Sequence, residues 1–181
     1  VDLGDPTWAA ELALSLASTP VDAEALAAVE SAEDPPAPLV RAAADAMRLA
    51  GELGRARALV VSGRMGGGAP ALAVAADVLR RSGDLALASE RAREALDAHG
   101  DDDRARAVLA RMALDAGRLD EAVRWTEDAV GPWTCEAAAL VAAARGDRAE
   151  AMRLIARGEA TSVLAEQRAR LAAVRGYLTH A

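Results

Sequence analysis

Few residues in this chain could do chemistry. The two histidines, His99 and His180, are the obvious general bases or metal ligands. Each stands at the end of a predicted helix, with no second ligand type at zinc-binding spacing and no HExxH or CxxC pattern nearby. A surface imidazole at the negative end of a helix accounts for both. Cys135 is the single thiol, and it would act as a nucleophile only beside a base. Asp101, Asp102 and Asp103 could offer carboxylates to a cation. They precede an apolar-periodic run, however, where a helix N-cap and acidic first-turn residues belong. Gly66-Gly67-Gly68 lacks the GxxxxGK[ST] pattern and the preceding strand of a phosphate loop. It reads as a link between helices, with Pro70 opening the next one. No catalytic residue, metal ligand or cofactor is assigned, and the chain is not expected to be an enzyme.

What could hold a partner is a set of arginines. The 181 residues contain 21 basic side chains and no Lys, so all are Arg. Asn is absent and Ile occurs once, the bias expected of a high-GC genome. The net charge of −7 argues against nucleic acid or an anionic membrane as partner. A lone Cys excludes an internal disulfide framework and fits a reducing compartment, so a cytoplasmic location is expected. There is no signal peptide and no uncharged apolar run long enough to span a bilayer. A chain that opens on Val is expected to be a domain cut from a longer protein, where an export signal or further domains could lie upstream.

The elements that position these residues are helices. Aromatics make up 2% of the chain, and there is no Phe. A core must then come from many Ala contacts, which favour close-packed helices over a sheet. The helices repeat. Gly51, Gly83, Gly117 and Gly146 are spaced by 32, 34 and 29 residues, and Ala56, Ala88, Ala122 and Ala151 follow them by five. Seven and eight residues before each glycine stand Ala43-Ala44, Ala75-Ala76, Leu109-Ala110 and Ala138-Ala139. Met47, Leu79, Ala113 and Ala142 stand four before. Nine residues after come Val60, Ala92, Thr126 and Ile155, and twelve after come Gly63, Ala95, Ala129 and Gly158. Offsets of three, four and seven mark one helix face. Each unit therefore reads as helix, tight turn at the glycine, helix, and Cys135 falls on a packing position.

A helical hairpin of this length, with small residues at these places, resembles the tetratricopeptide repeat (TPR). The expected fold is all-α: a right-handed α-solenoid of antiparallel helix pairs over 1–181 as a single TPR-like domain. Its units are 37–68, 69–102, 103–131 and 132–161, preceded by a degenerate unit, 6–36, and followed by a closing helix, 162–181. The degenerate unit keeps Leu12, Ala13, Leu16, Ala25, Val29 and Ala32 but carries Pro20 where the glycine belongs. The large aromatics usual in the family are missing; Val40, Leu72, Arg106 and Cys135 occupy one such set of places. On the closing helix Leu164, Leu171, Val174 and Leu178 form one side, and Arg168, Arg170 and Arg175 are expected to make the outer face polar.

The resemblance implies a concave face lined by first helices. That lining carries Arg41, Arg48, Arg80, Arg81, Arg104 and Arg111 against Asp45, Asp77, Asp115 and Glu136, with Trp133 at one end as an apolar anchor. Two more cations than anions, in a chain of net charge −7, would favour an acidic peptide or helix. The competing reading makes these arginines ion pairs along solvated helix faces, such as Arg41 with Asp45 or Asp77 with Arg81. Family members that clamp a terminal carboxylate use cations with Asn in this groove. Arg41 and Arg104 match cation places, but Asp45 and Val74 replace Asn and Val108 replaces a cation, so no such clamp is expected. Ala122 is placed at a helix crossing and Ala107 on an open face.

The expected function is a non-catalytic scaffold or sensor module binding a protein or peptide. By analogy of fold it would belong to a larger bacterial protein containing a kinase, a nucleotide-driven switch or a transcription regulator. The alternative is a structural module that packs within its parent protein or forms a homo-oligomer.

Overall fold

The computed structural model describes residues 23–180, apart from the side chains of Ala25 and His180. The first part of unit 6–36, including Trp8, Leu12, Ala13, Leu16 and Pro20, lies outside the described residues. Among those described, every element is helical and no strand occurs. The helices are α1 (Ala23–Ser31), α2 (Ala37–Leu49), α3 (Leu53–Val61), α4 (Ala69–Arg81), α5 (Leu85–Ala98), α6 (Asp103–Asp115), α7 (Leu119–Trp125), α8 (Pro132–Ala144), α9 (Arg148–Thr161) and α10 (Ala165–His180). None is long and apolar enough to cross a membrane.

The chain falls into two compact units that divide between His99 and Gly100. In the first, α2 and α4 lie side by side, α3 packs against both, and α5 pairs with α4. In the second, α6, α8 and α10 form one layer, with α7 and α9 packed across them as the other.

The turns are built alike. Gly51, Gly83, Gly117 and Gly146 have φ of +79°, +84°, +71° and +79°, a conformation that a Cβ makes costly. The N–H of the residue after each glycine returns to the carbonyl four residues before it. Glu52 reaches Met47 at 2.8 Å, Asp84 reaches Leu79 at 2.9 Å, Arg118 reaches Ala113 at 2.8 Å and Asp147 reaches Ala142 at 2.9 Å. The position four before the glycine thus packs its side chain and closes the turn with its carbonyl. Ala56, Ala88, Ala122 and Ala151 have no solvent exposure, because each sits where the second helix crosses the first.

The second helices differ in length. α5 and α9 have 14 residues, α3 has 9 and α7 has 7. Val60 and Thr126 are consequently only half-buried, and Gly63 is exposed. At the end of α7 the Thr126 hydroxyl donates to the carbonyls of Ala122 and Val123, both at 3.0 Å. The 29-residue spacing from Gly117 to Gly146 reflects this truncation, since the residues missing from the unit are missing from its second helix.

Two local expectations are corrected. Ala107 is buried beneath Trp133, in a cluster with Ala110 and Ala137, and not on an open face. Nor is the outer side of α10 chiefly basic. Arg170 turns inward, leaving Ala165, Ala169, Ala172 and Ala173 exposed beside Arg168 and Tyr177.

Candidate functional site

In the first unit three of the four candidate arginines meet at one buried acid. Asp77, on α4, is 3% exposed and neighbours three guanidinium groups. Arg48 Nε lies 3.5 Å from Oδ2, and Arg80 Nη2 and Arg81 Nε lie 3.4 and 3.3 Å from Oδ1. Arg48 is itself buried and donates to Asp45 at 2.7 Å. Burying a charge is costly unless opposite charge and hydrogen bonds surround it, and the chain α2–α4 supplies both. The pairing of Asp77 with Arg81 matches the sequence reading. Asp45 pairs with Arg48, one turn on, rather than with Arg41, which stands half-buried at the surface.

A second constellation forms in the other unit. Trp133 stands second in α8, and two cations lie over its ring. The guanidinium carbons of Arg104 and Arg170 lie 4.8 and 4.7 Å from the ring centroid. At these distances the ring quadrupole attracts both charges. Trp133 is only 9% exposed, so it is an interior strut and not the open apolar anchor expected of it. One turn further, Glu136 is 5% exposed and accepts from Arg111 Nη1 at 2.9 Å and Arg170 Nη2 at 2.7 Å. Arg170 thus joins Trp133, Glu136 and Glu166, the last at 3.6 Å.

The sequence reading missed Arg170 because it assigned the outer face of α10 by charge alone. A signal was present: Glu136 is the one charged residue between Pro132 and Ala144, and a lone acid in an Ala-rich helix needs a cation from another helix.

The acidic run at 101–103 does serve as a cap, twice over. Asp102 accepts the N–H of Ala105 at 2.8 Å within its own helix. Asp103 instead reaches α8, where it accepts the N–H groups of Trp133 and Thr134 at 2.9 and 3.0 Å. Among the described residues no group of His, Cys, Asp and Glu is arranged to hold a metal ion. Cys135 is buried against Gly158 and Leu171, and desolvation pushes its thiol up to about 11, aided by the nearby charge of Asp103. Such a thiol stays protonated and unreactive at neutral pH.

The described residues are therefore all-helical, with two charge constellations, one in each compact unit. The chain matches no family model, no curated protein and no solved structure.

Proposed function

We propose that the chain is a TPR-like α-solenoid that holds a protein or peptide partner and transforms no substrate. The observation that carries this reading is the repeated register, in which four glycine turns of one geometry are each followed by a fully buried Ala. Hairpins of one design stack so that their first helices share a face open to a ligand. In each unit that face carries cations that reach solvent, Arg41 and Arg81 in the first, Arg104 and Arg111 in the second. An acidic segment is the complementary partner. A place in the cytoplasm, within a larger bacterial signalling protein, belongs to the same proposal and rests on composition and analogy of fold.

The test is fluorescence anisotropy with a labelled Glu-rich helical peptide, on the protein and on an Arg41→Glu, Arg81→Glu variant shown by circular dichroism to be folded. Saturable binding that the variant weakens by roughly tenfold or more, and that salt screens, is expected. Equal binding by both proteins, or none by either, would overturn the reading.

The face of α10 favours a second reading, self-association. Ala43-Ala44 and Ala138-Ala139 are buried in their hairpins, whereas Ala172-Ala173 is exposed beside Tyr177. Sedimentation across a concentration series, repeated with Ala173→Glu, decides this. A mass that rises with concentration and falls back in the variant supports association through α10. A constant monomer mass removes it.

A further inference from the structure

The glycine register recurs once more near the end of α10. Gly176 follows Gly146 by 30 residues, with Leu178 two after it and Ala181 five after it, as Leu53 and Ala56 follow Gly51. Counted back from Gly176, α10 is a first helix. Gln167, Leu171 and Val174 are buried where α10 packs on α8 and α9. There the likeness stops. α10 runs on through Gly176 to His180, and this glycine has none of the positive φ of the four turns.

Eleven, eight, seven and four residues before the glycine lies the face that takes the second helix of a hairpin. On α2 these places are Val40, Ala43, Ala44 and Met47, which have no solvent exposure. On α8 they are Cys135, Ala138, Ala139 and Ala142, all buried. On α10 they are Ala165, Arg168, Ala169 and Ala172, and all four are exposed. Among the described residues nothing stands where α3 stands on α2 and α9 on α8. The three alanines would let another helix axis come within about 8–10 Å.

Arg168 departs from the pattern and gives the face its selectivity. Its counterpart on α8, Ala138, lines one cleft with Leu154, the residue eight after Gly146, so the place eight before a glycine adjoins the place eight after it. Arg168 Nη2 donates to the Val163 carbonyl at 3.4 Å. The one acid of α10, Glu166, pairs with Arg170 at 3.6 Å, and Glu159, near the end of α9, pairs with Arg175. Among the described residues no carboxylate pairs with Arg168.

We propose that the exposed face of α10 seats an amphipathic helix of a partner protein, antiparallel to α10, with small residues at the crossing and an acid opposite Arg168. The inference rests on the repeat register behind the proposed function, but it uses a face apart from Arg41 and Arg81. A second copy of α10 is the poorer occupant, because the one acid it brings is already held by Arg170.

The experiment is an NMR titration of the whole chain with two capped peptides. Both carry the sequence of residues 84–99, which spans α5; its crossing residues Ala88, Ala92 and Ala95 have no exposure in their own hairpin. One keeps Arg91, eight after Gly83, and the other carries Arg91→Glu. Isolated helices of this length are marginal, so a Kd on the order of millimolar is expected. The Arg91→Glu peptide should shift the amides of Ala165, Ala169 and Ala172 and bind roughly threefold or more tightly than the other. In the Arg168→Glu protein the order of the two peptides should reverse, and Ala169→Leu should weaken both. The Arg41→Glu, Arg81→Glu protein should bind both as before, so loss of the first-helix face and loss of this one are told apart. Absence of shifts on α10, an unchanged order of the peptides in Arg168→Glu, or shifts on α10 that grow with the concentration of the chain alone would overturn the proposal.

Discussion

Asp103 caps a helix to which it does not belong: its Oδ1 accepts the N–H of Thr134 at 3.0 Å, thirty-one residues along the chain. The same carboxylate takes the Trp133 N–H and the Thr134 hydroxyl, so it satisfies three donors at the start of α8. A Cβ on Gly131 would stand 2.2 Å from the Asp103 carboxyl carbon, and the carboxylate could not retreat without releasing those bonds. Asp103→Ala should therefore cost about 1–2 kcal/mol, as for loss of a strong cap. Asp101→Ala, on an exposed residue, should cost a few tenths. Chemical denaturation of both variants checks this, and equal midpoints would remove the cross-helix cap from the account. Gly131→Ala should fall with Asp103→Ala.

Glu136 is held by two cations, so its removal leaves Arg111 and Arg170 facing each other across a buried gap. Loss of one partner of a buried pair commonly costs about 3–5 kcal/mol, reduced here because both arginines touch solvent. Glu136→Ala should cost about 2 kcal/mol, and a double-mutant cycle with Arg170→Ala should give a coupling of about 1 kcal/mol. A coupling near zero would make the contact incidental.

Glycines in this chain should divide sharply under substitution. Gly117 has φ +71° and open space around it, so Gly117→Ala costs only the backbone term, about 1 kcal/mol. Gly54 lies inside α3, also in open space and without a positive φ. Gly54→Ala should stabilise by about 0.5–1 kcal/mol. Thermal shifts of the same sign in both variants would contradict the turn geometry.

Crossing alanines should resist enlargement. Ala122→Leu is expected to cost about 1–3 kcal/mol, and Ala107→Leu, beneath Trp133, should be costly too. Ala160, exposed on α9, provides the contrast, and Ala160→Leu should be near neutral. Melting temperatures of the three variants test the packing register directly.

The Cys135 thiol should make stability fall in alkali. Burial lifts its folded value from 9.0 to about 11, so between these values the unfolded chain has lost a proton that the native chain keeps. Stability contributed by the neutral thiol is complete below pH 9 and is lost as pH rises to about 11, at most roughly 2 kcal/mol. Cys135→Ala should flatten that part of the profile. Labelling by a thiol reagent at pH 7.5 should be slow in the native protein and fast in denaturant.

The hairpin repeat was written in the sequence because it is local. A glycine in the left-handed conformation, an Ala five residues on and an Ala seven before it are requirements of one turn and one helix crossing. Each lies within the reach of a single unit, and the structure meets all of them from Gly51 to Gly146. The short α7 was not so written: the periodic pattern ran on to Thr126 and Ala129, past the end of the helix at Trp125. The partners of the charged side chains were not legible. Periodicity says which side of a helix a residue takes, but not which helix faces it. Arg170 turns to Glu136 and Trp133, and Asp103 to Thr134, only because α6, α8 and α10 lie in one layer. Burial made those contacts obligatory, since a carboxylate removed from water must find a cation or an N–H group. The sequence by itself determined the helices, their turns and their crossings. Tertiary structure decided which arginines became struts and which reach solvent, because that depends on neighbours some thirty residues away.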